Sequence, residues 1–185
     1  FIDFLVQKML NNPSQLPNAQ EPLLQCLKNQ GAESAEDKLR NLSESKNFLI
    51  AGHETTGASL TWTLFLLSKH PKILKEVLEE IDTVLEGKAP TLEQLDELKL
   101  TTMVIQESLR LYPPVWVIDR RVVSEDILGG YRIPAKSTVI IVPYVLHRHP
   151  KYWSNPGTFD PYRFDKNNPE KPHKFAYIPF GMGPR

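Results

Sequence analysis

Apolar positions along this chain follow a helical spacing as far as Tyr112 and change character after it. Phe1 to Leu10 reads as the end of a helix stopped before Pro13, and Glu21 to Asn29 as a short helix with Gly31 just beyond. Ser34-Ala35-Glu36-Asp37 fits a capping box. In such a box the first hydroxyl takes a backbone N–H and the acidic side chain reaches back. It predicts a long helix from about Glu36 to Lys69, roughly 50 Å at about 1.5 Å per residue. The second half of that helix is apolar nearly all round, through Leu60, Trp62, Leu64, Phe65, Leu66 and Leu67. This is the pattern of a helix buried inside a larger protein. Pro71 suits the first turn of another helix, running to about Glu86 and ending at Gly87. Thr91-Leu92-Glu93-Gln94 is a second capping box, and a further helix covers about Thr101 to Leu111, ended by Pro113-Pro114.

Strands are expected next. Ile127-Leu128 and Tyr131-Arg132-Ile133 flank Gly129-Gly130, a hairpin signal. Ser137 to Val142 is β-branched and apolar, limited by Pro143. Of 16 prolines, eleven follow Tyr112, and from Lys151 onward the chain reads as a long ordered loop. Such loops are uncommon unless they do a job. No Gly/Ser linker separates the halves, so one mainly α domain with a small antiparallel β portion is expected over the 185 residues.

Composition narrows the function. Lys plus Arg and Asp plus Glu are both 22, for a formal net charge of zero. The basic excess of a nucleic-acid surface is absent. A single cysteine, Cys26, excludes an internal disulfide and any site built from several thiolates. No apolar run reaches the length of a membrane span. The start has neither an initiator Met nor a signal layout, which proves little but permits the reading of a piece of a longer chain.

Three constellations carry candidate chemistry. The first, Ala51-Gly52-His53-Glu54-Thr55-Thr56, is a polar cluster inside the long apolar helix. Gly costs about 1 kcal/mol there, and rule-breaking of this kind marks function or a local kink. Gly52 lets a flat ligand approach the backbone, while Glu54 and Thr55 place an acid beside a hydroxyl. The alternative is a kinked helix with a solvated Glu54. A zinc-protease motif would need a second His three residues after Glu54, and that position is Gly57. The second constellation is Glu107-Ser108-Leu109-Arg110, with acid and base at i and i+3 on one helix face. Either the pair is exposed, or it is buried and needs further acceptors, which carbonyls of the loop after Lys151 can supply. The third is Phe159-Asp160-Pro161-Tyr162-Arg163-Phe164 followed by the Gly-rich Phe180-Gly181-Met182-Gly183-Pro184-Arg185. It lacks the strand-then-helix context of a dinucleotide loop. His147 and His149 would share a face in a strand, but no third ligand is visible. A loop histidine pair satisfied by hydrogen bonds is the reading adopted.

In order and spacing the three constellations resemble the cytochromes P450. Ala51 to Thr56 looks like that family's oxygen-activating helix stretch, Glu107 to Arg110 its Glu-x-x-Arg helix, Phe159 to Phe164 its Pro-x-Arg-Phe segment, and Phe180 to Arg185 the opening of its haem-binding loop. The resemblance covers essentially the whole chain. It implies the central-to-C-terminal part of a P450-like domain: the long helix at about 36–69, the Glu-x-x-Arg helix at about 101–111, a small β region at about 115–142, and a loop at 151–185 leading to the haem segment. It further implies haem b as cofactor, held by an axial Cys two residues after Arg185. The sequence ends at Arg185, Cys26 is no substitute, and the piece alone is expected to be inactive.

The resemblance also implies roles. Glu54 and Thr55 are catalytic, managing protons at bound dioxygen. Ala51, Gly52, Arg120, Phe180, Gly181, Gly183 and Arg185 bind the cofactor, the two arginines at its propionates. Glu107, Arg110 and Arg163 form a structural charge triad. Val115, Trp116, Val117 and Ile118 face the substrate, their alternative being ordinary sheet core. The implied activity is a monooxygenase that takes O2, a small apolar organic substrate, and electrons from a reductase or ferredoxin. Two other readings compete with it: a P450-fold peroxygenase or isomerase, disfavoured by the intact Glu54-Thr55 pair, and a cofactor-free helical binding or structural module. Substrate identity, redox partner and cellular location are left open, because the family has soluble and membrane-anchored members.

Overall fold

A computed structural model describes residues 34–183. The helices expected before Ser34, together with Cys26, Pro184 and Arg185, lie outside the described residues. The chain divides into two compact units, Phe1–Thr56 and Gly57–Arg185.

The first helix among the described residues, α1, runs Ala35–Lys69, and the division between the units falls within it. Its start is the expected box: Ser34 Oγ accepts the Asp37 N–H at 3.0 Å, and the Asp37 carboxylate takes the Ser34 N–H at 3.4 Å. In the second unit α1 departs from expectation. Leu66 and Leu67 are buried, but Leu60, Trp62, Leu64 and Phe65 are exposed, Leu64 by 66%. The all-round apolar pattern asks for neighbours on every side, and the described residues pack on one.

Helix α2, Pro71–Leu85, opens on Pro71 and closes where Glu86 and Gly87 both turn left-handed, at φ 49° and 73°. Gly bears that conformation without strain; Glu86 does so as the C-cap. The single turn α3, Leu92–Leu95, carries the Thr91/Gln94 capping box in full. Helix α4, Lys99–Leu111, follows. Its N-cap, Leu98, has no capping side chain. Instead the Glu80 carboxylate of α2 accepts the N–H groups of Leu100 (2.6 Å) and Thr101 (2.8 Å) and the Thr101 hydroxyl (2.8 Å). A carboxylate at a helix N-terminus also meets the positive end of the dipole. The core of this unit is Leu66, Leu67, Val77, Val104, Leu111 and Phe159, with Ile73, Leu74, Ile81, Leu100 and Tyr112 packed against it.

Two small antiparallel sheets follow. Strand β1 (Ile118–Arg121) pairs with β4 (Thr138–Ile141), with Ile118 opposite Ile141 and Arg120 opposite Val139. Strands β2 (Asp126–Leu128) and β3 (Tyr131–Ile133) form the hairpin at Gly129-Gly130, both glycines at positive φ. A short α5, Pro143–Leu146, and a 3-10 turn, Pro161–Phe164, punctuate the remaining loop. No helix among the described residues is long and apolar enough to cross a membrane.

Candidate functional site

The last turns of α4 hold the most deeply buried charges. Glu107 and Arg110 are both 0% exposed, one helical turn apart. Every N–H of the Arg110 guanidinium is used. Nε and Nη2 donate to the two Glu107 carboxylate oxygens at 2.6 and 2.8 Å. Nη1 donates to the carbonyls of His147 and Pro156, both at 2.8 Å, and Nη2 also to Thr158 at 3.1 Å. That exhausts the five donors an arginine owns. The carboxylate takes a third hydrogen bond, because Glu107 Oε1 also accepts the Asp160 N–H at 2.9 Å.

Arg163, on the 3-10 turn, brings its Nε to 3.4 Å from the same oxygen, an ion-pair distance without hydrogen-bond alignment. Its Nη2 donates to the Asn155 carbonyl at 2.9 Å and its Nη1 to Ser154 Oγ at 3.3 Å. The buried Trp153 ring lies 5.0 Å from the Arg110 guanidinium. Glu107, Arg110 and Arg163 therefore form one cluster, and it fastens the loop at 147–160 to α4.

His147 extends that cluster. The residue caps α5, is wholly buried, and its ring Nε2 accepts the Ile178 N–H at 2.9 Å. Burial pushes its pKa down to about 4, against the opposing pull of the Arg110 and Leu109 backbone. The ring is neutral, as an acceptor must be. Beside it, at 5.3 Å, lies the ring of Tyr177, whose hydroxyl donates to the Gln106 carbonyl at 3.0 Å and is pushed up in pKa by burial. His149 takes a local bond, its Nδ1 accepting the Lys151 N–H at 3.2 Å. Neither histidine is in a strand, and no metal-holding group of His, Cys, Asp or Glu occurs among the described residues.

From Ile178 the chain enters the Gly-rich loop. The Gly181 N–H returns to the Ile178 carbonyl at 3.0 Å, and Gly181 and Gly183 sit at φ 75° and 112°. A Cβ at Gly181 would stand 3.4 Å from Ile118 Cδ1, so the loop abuts the start of β1. Phe180 is 88% exposed and Met182 is exposed beside it. Arg120, also exposed, projects from β1 and donates to the Asp119 carbonyl at 2.8 Å.

Of the other candidates, Trp116 lines an apolar cavity of about 500 Å³ with Ala58, Trp62, Tyr112, Pro113, Pro114 and Tyr144. Trp62 and Tyr112 stack there at 4.0 Å, nearly parallel. The Arg148 guanidinium stands 3.9 Å from the Tyr144 ring centroid. Val115 is exposed, and Val117 and Ile118 are half-buried. In the first unit, Ala51, Gly52 and Glu54 are exposed. Thr55 Oγ1 donates to the Ala51 carbonyl at 2.6 Å, and a Cβ at Gly52 would meet nothing within 4 Å.

The comparisons with known proteins bear on the whole chain. The family model described as Cytochrome P450 matches residues 1–185. The chain belongs to the cytochrome P450 family. It is 40% identical over 172 residues to Protein LUTEIN DEFICIENT 5, chloroplastic, of Arabidopsis thaliana, covering 91% of this chain and 29% of that one. It is 37% identical to Cytochrome P450 4V2 of Homo sapiens, over 88% of this chain and 31% of that one. Carotene epsilon-monooxygenase, chloroplastic, of Arabidopsis thaliana is 39% identical, over 95% of this chain and 33% of that one. The chain thus spans about a third of the length of these P450 relatives. One residue that sequence reasoning missed, Glu80, belongs to the site's support, and its signal was the uncapped start of α4 at Leu98. His147 was expected as a hydrogen-bonded loop histidine and is one, but nothing local pointed to Ile178 as its partner.

Proposed function

We propose that the protein to which this chain belongs is a haem-thiolate monooxygenase. It inserts one oxygen atom of O2 into a small apolar organic substrate, with two electrons from a reductase or ferredoxin. The observation that carries this reading is the buried Glu107–Arg110–Arg163 cluster, tied through His147 to the segment that enters the Phe180–Gly183 loop. Such a cluster is costly to bury, and holding a loop in register gives a reason for it. One relative's name, Carotene epsilon-monooxygenase, supports the reaction class.

The residues fit a haem. Gly181 and Gly183 leave two positions of the loop without side chains, and Phe180 and Met182 between and beside them offer apolar surface. Gly181 abuts Ile118, on the strand that bears the cationic Arg120. Apolar contact and a cation suit a flat macrocycle with carboxylate arms. In this reading Phe180, Gly181 and Gly183, and likewise Ala51 and Gly52, would lie against the haem, while Arg120 and Arg185 would hold its propionates. Held by a Cys thiolate beyond Arg185, the group would supply the activation of O2.

The chain's own residues bind, orient and move protons. The Thr55 hydroxyl donates to the Ala51 carbonyl, and its oxygen can also accept a hydrogen bond. In this reading the exposed Glu54 carboxyl takes protons from solvent, and the Thr55 hydroxyl, turning from the Ala51 carbonyl, hands on its own proton as it receives another. Val115, Trp116, Val117 and Ile118 present apolar surface to the substrate, and the aromatic side chains around Trp116 give the neighbouring cavity an apolar lining.

The test is to express the protein from its own gene and to read the codons beyond Arg185. Stoichiometric haem, a thiolate-type spectrum of the reduced carbonyl complex, and O2- and reductant-dependent oxidation of fatty acids, terpenes or steroids are expected. Protein without haem, or without a Cys at the second codon past Arg185, would overturn the reading.

A further inference from the structure

We propose that His147 is a positioning residue for the haem loop: its ring Nε2 holds the Ile178 amide and so sets where the Phe180–Gly183 segment leaves the core. The proposal rests on the haem reading above. Two bonds of one residue carry the argument. The His147 carbonyl accepts Arg110 Nη1 at 2.8 Å, and its ring accepts the Ile178 N–H at 2.9 Å. The Ile178 carbonyl in turn accepts the Gly181 N–H at 3.0 Å. Three hydrogen bonds therefore lead from the Arg110 guanidinium to the glycine that abuts β1.

The choice of a histidine follows from the chemistry of the place. The Ile178 N–H is buried and needs an acceptor, since an orphaned amide is costly. A carboxylate there would compete with Glu107 for Arg110, whereas a neutral imidazole accepts without a charge. The depressed pKa of this ring agrees with its acceptor role.

Three variants of the holoprotein separate this role from simple core filling. His147→Phe keeps the bulk and removes the acceptor. His147→Gln restores an acceptor at about the reach of Nε2, and His147→Asn has one too short to meet Ile178. Amide hydrogen exchange is followed at residues 178–183 and, for comparison, at 104–111 in α4. The Phe and Asn variants are expected to lose protection in 178–183 by about tenfold or more. They should keep it in α4 and weaken the thiolate-type haem spectrum, while Gln stays near wild type. Equal protection of 178–183 in the Asn variant and wild type would overturn the proposal. So would equal loss in α4, or a Gln variant that behaves like Phe. Should wild type carry no haem, the haem reading falls by itself, and the exchange comparison still reports whether His147 anchors the loop.

Discussion

Removing the Arg110 guanidinium should be among the most damaging single changes available to this chain. In Arg110→Ala the Glu107 carboxylate stays 0% exposed and loses both its short bonds. The carbonyls of His147, Pro156 and Thr158 lose their donor at the same time. Breaking a buried pair from one side costs about 3–5 kcal/mol, and each orphaned acceptor adds about 1–3 kcal/mol when water cannot reach it. These contributions overlap, so about 4 kcal/mol is a working minimum, against a total stability of about 5–15 kcal/mol for a typical domain. Lysine should rescue poorly, because an ammonium has three donors where five are in use. Replacing both partners by apolar residues should also fail. The three carbonyls and the Asp160 N–H would still be stranded, unlike a pair that bonds only to itself. The assay is urea unfolding followed by far-UV circular dichroism, with haem content measured on the same preparations. Arg110→Ala is expected to lower the midpoint sharply and to abolish haem incorporation. A loss below about 1 kcal/mol, the size of an exposed pair, or a full haem complement, would refute the reasoning.

Other outcomes follow from single contacts. Glu80→Ala should destabilise by about 1–2 kcal/mol, as loss of an N-cap does, and Glu80→Gln by less; unchanged urea midpoints in both would show that α4 needs no cap from α2. Stability should fall with acid in a window set by His147, whose folded pKa of about 4 lies below its ordinary 6.5. The unfolded chain binds the proton first, so the contribution is complete above pH 6.5 and lost between there and about pH 4, by at most about 3 kcal/mol. His147→Gln should flatten that part of the urea-midpoint profile, and an unchanged slope would contradict the assignment. Gly181→Ala should cost about 1–2 kcal/mol because φ is 75° there, with haem retention on dilution as the sensitive readout and normal retention as the contrary result.

The parts of the fold written in local chemistry are legible in the amino-acid order itself. Ser34 with Asp37, Thr91 with Gln94, Pro71, and Gly129-Gly130 each act within a few residues, and each marks the element boundary found there. Glu107 and Arg110 are legible as a pair for the same reason, since α4 alone puts them one turn apart. Their burial is not legible, because it depends on a loop 37 to 53 residues away wrapping over them. Nor is the His147–Ile178 bond, which spans 31 residues. The apolar stretch from Leu60 to Phe65 misleads in the opposite sense. Its pattern records what a helix would bury given neighbours, and among the described residues those side chains are exposed.

The five spent donors of Arg110 have a consequence for the order of events in folding. Helix α4 can form from contacts near in sequence, but the carbonyls that complete its arginine lie 37, 46 and 48 residues further on. Until that segment closes, Glu107 and Arg110 do better in water, so the end of α4 stays hydrated and open. Closing so long a loop carries an entropy cost that is recovered only when several bonds form together. The loop at 147–160 should therefore lock in late and in one step. Truncating its side chains should speed unfolding more than it slows folding.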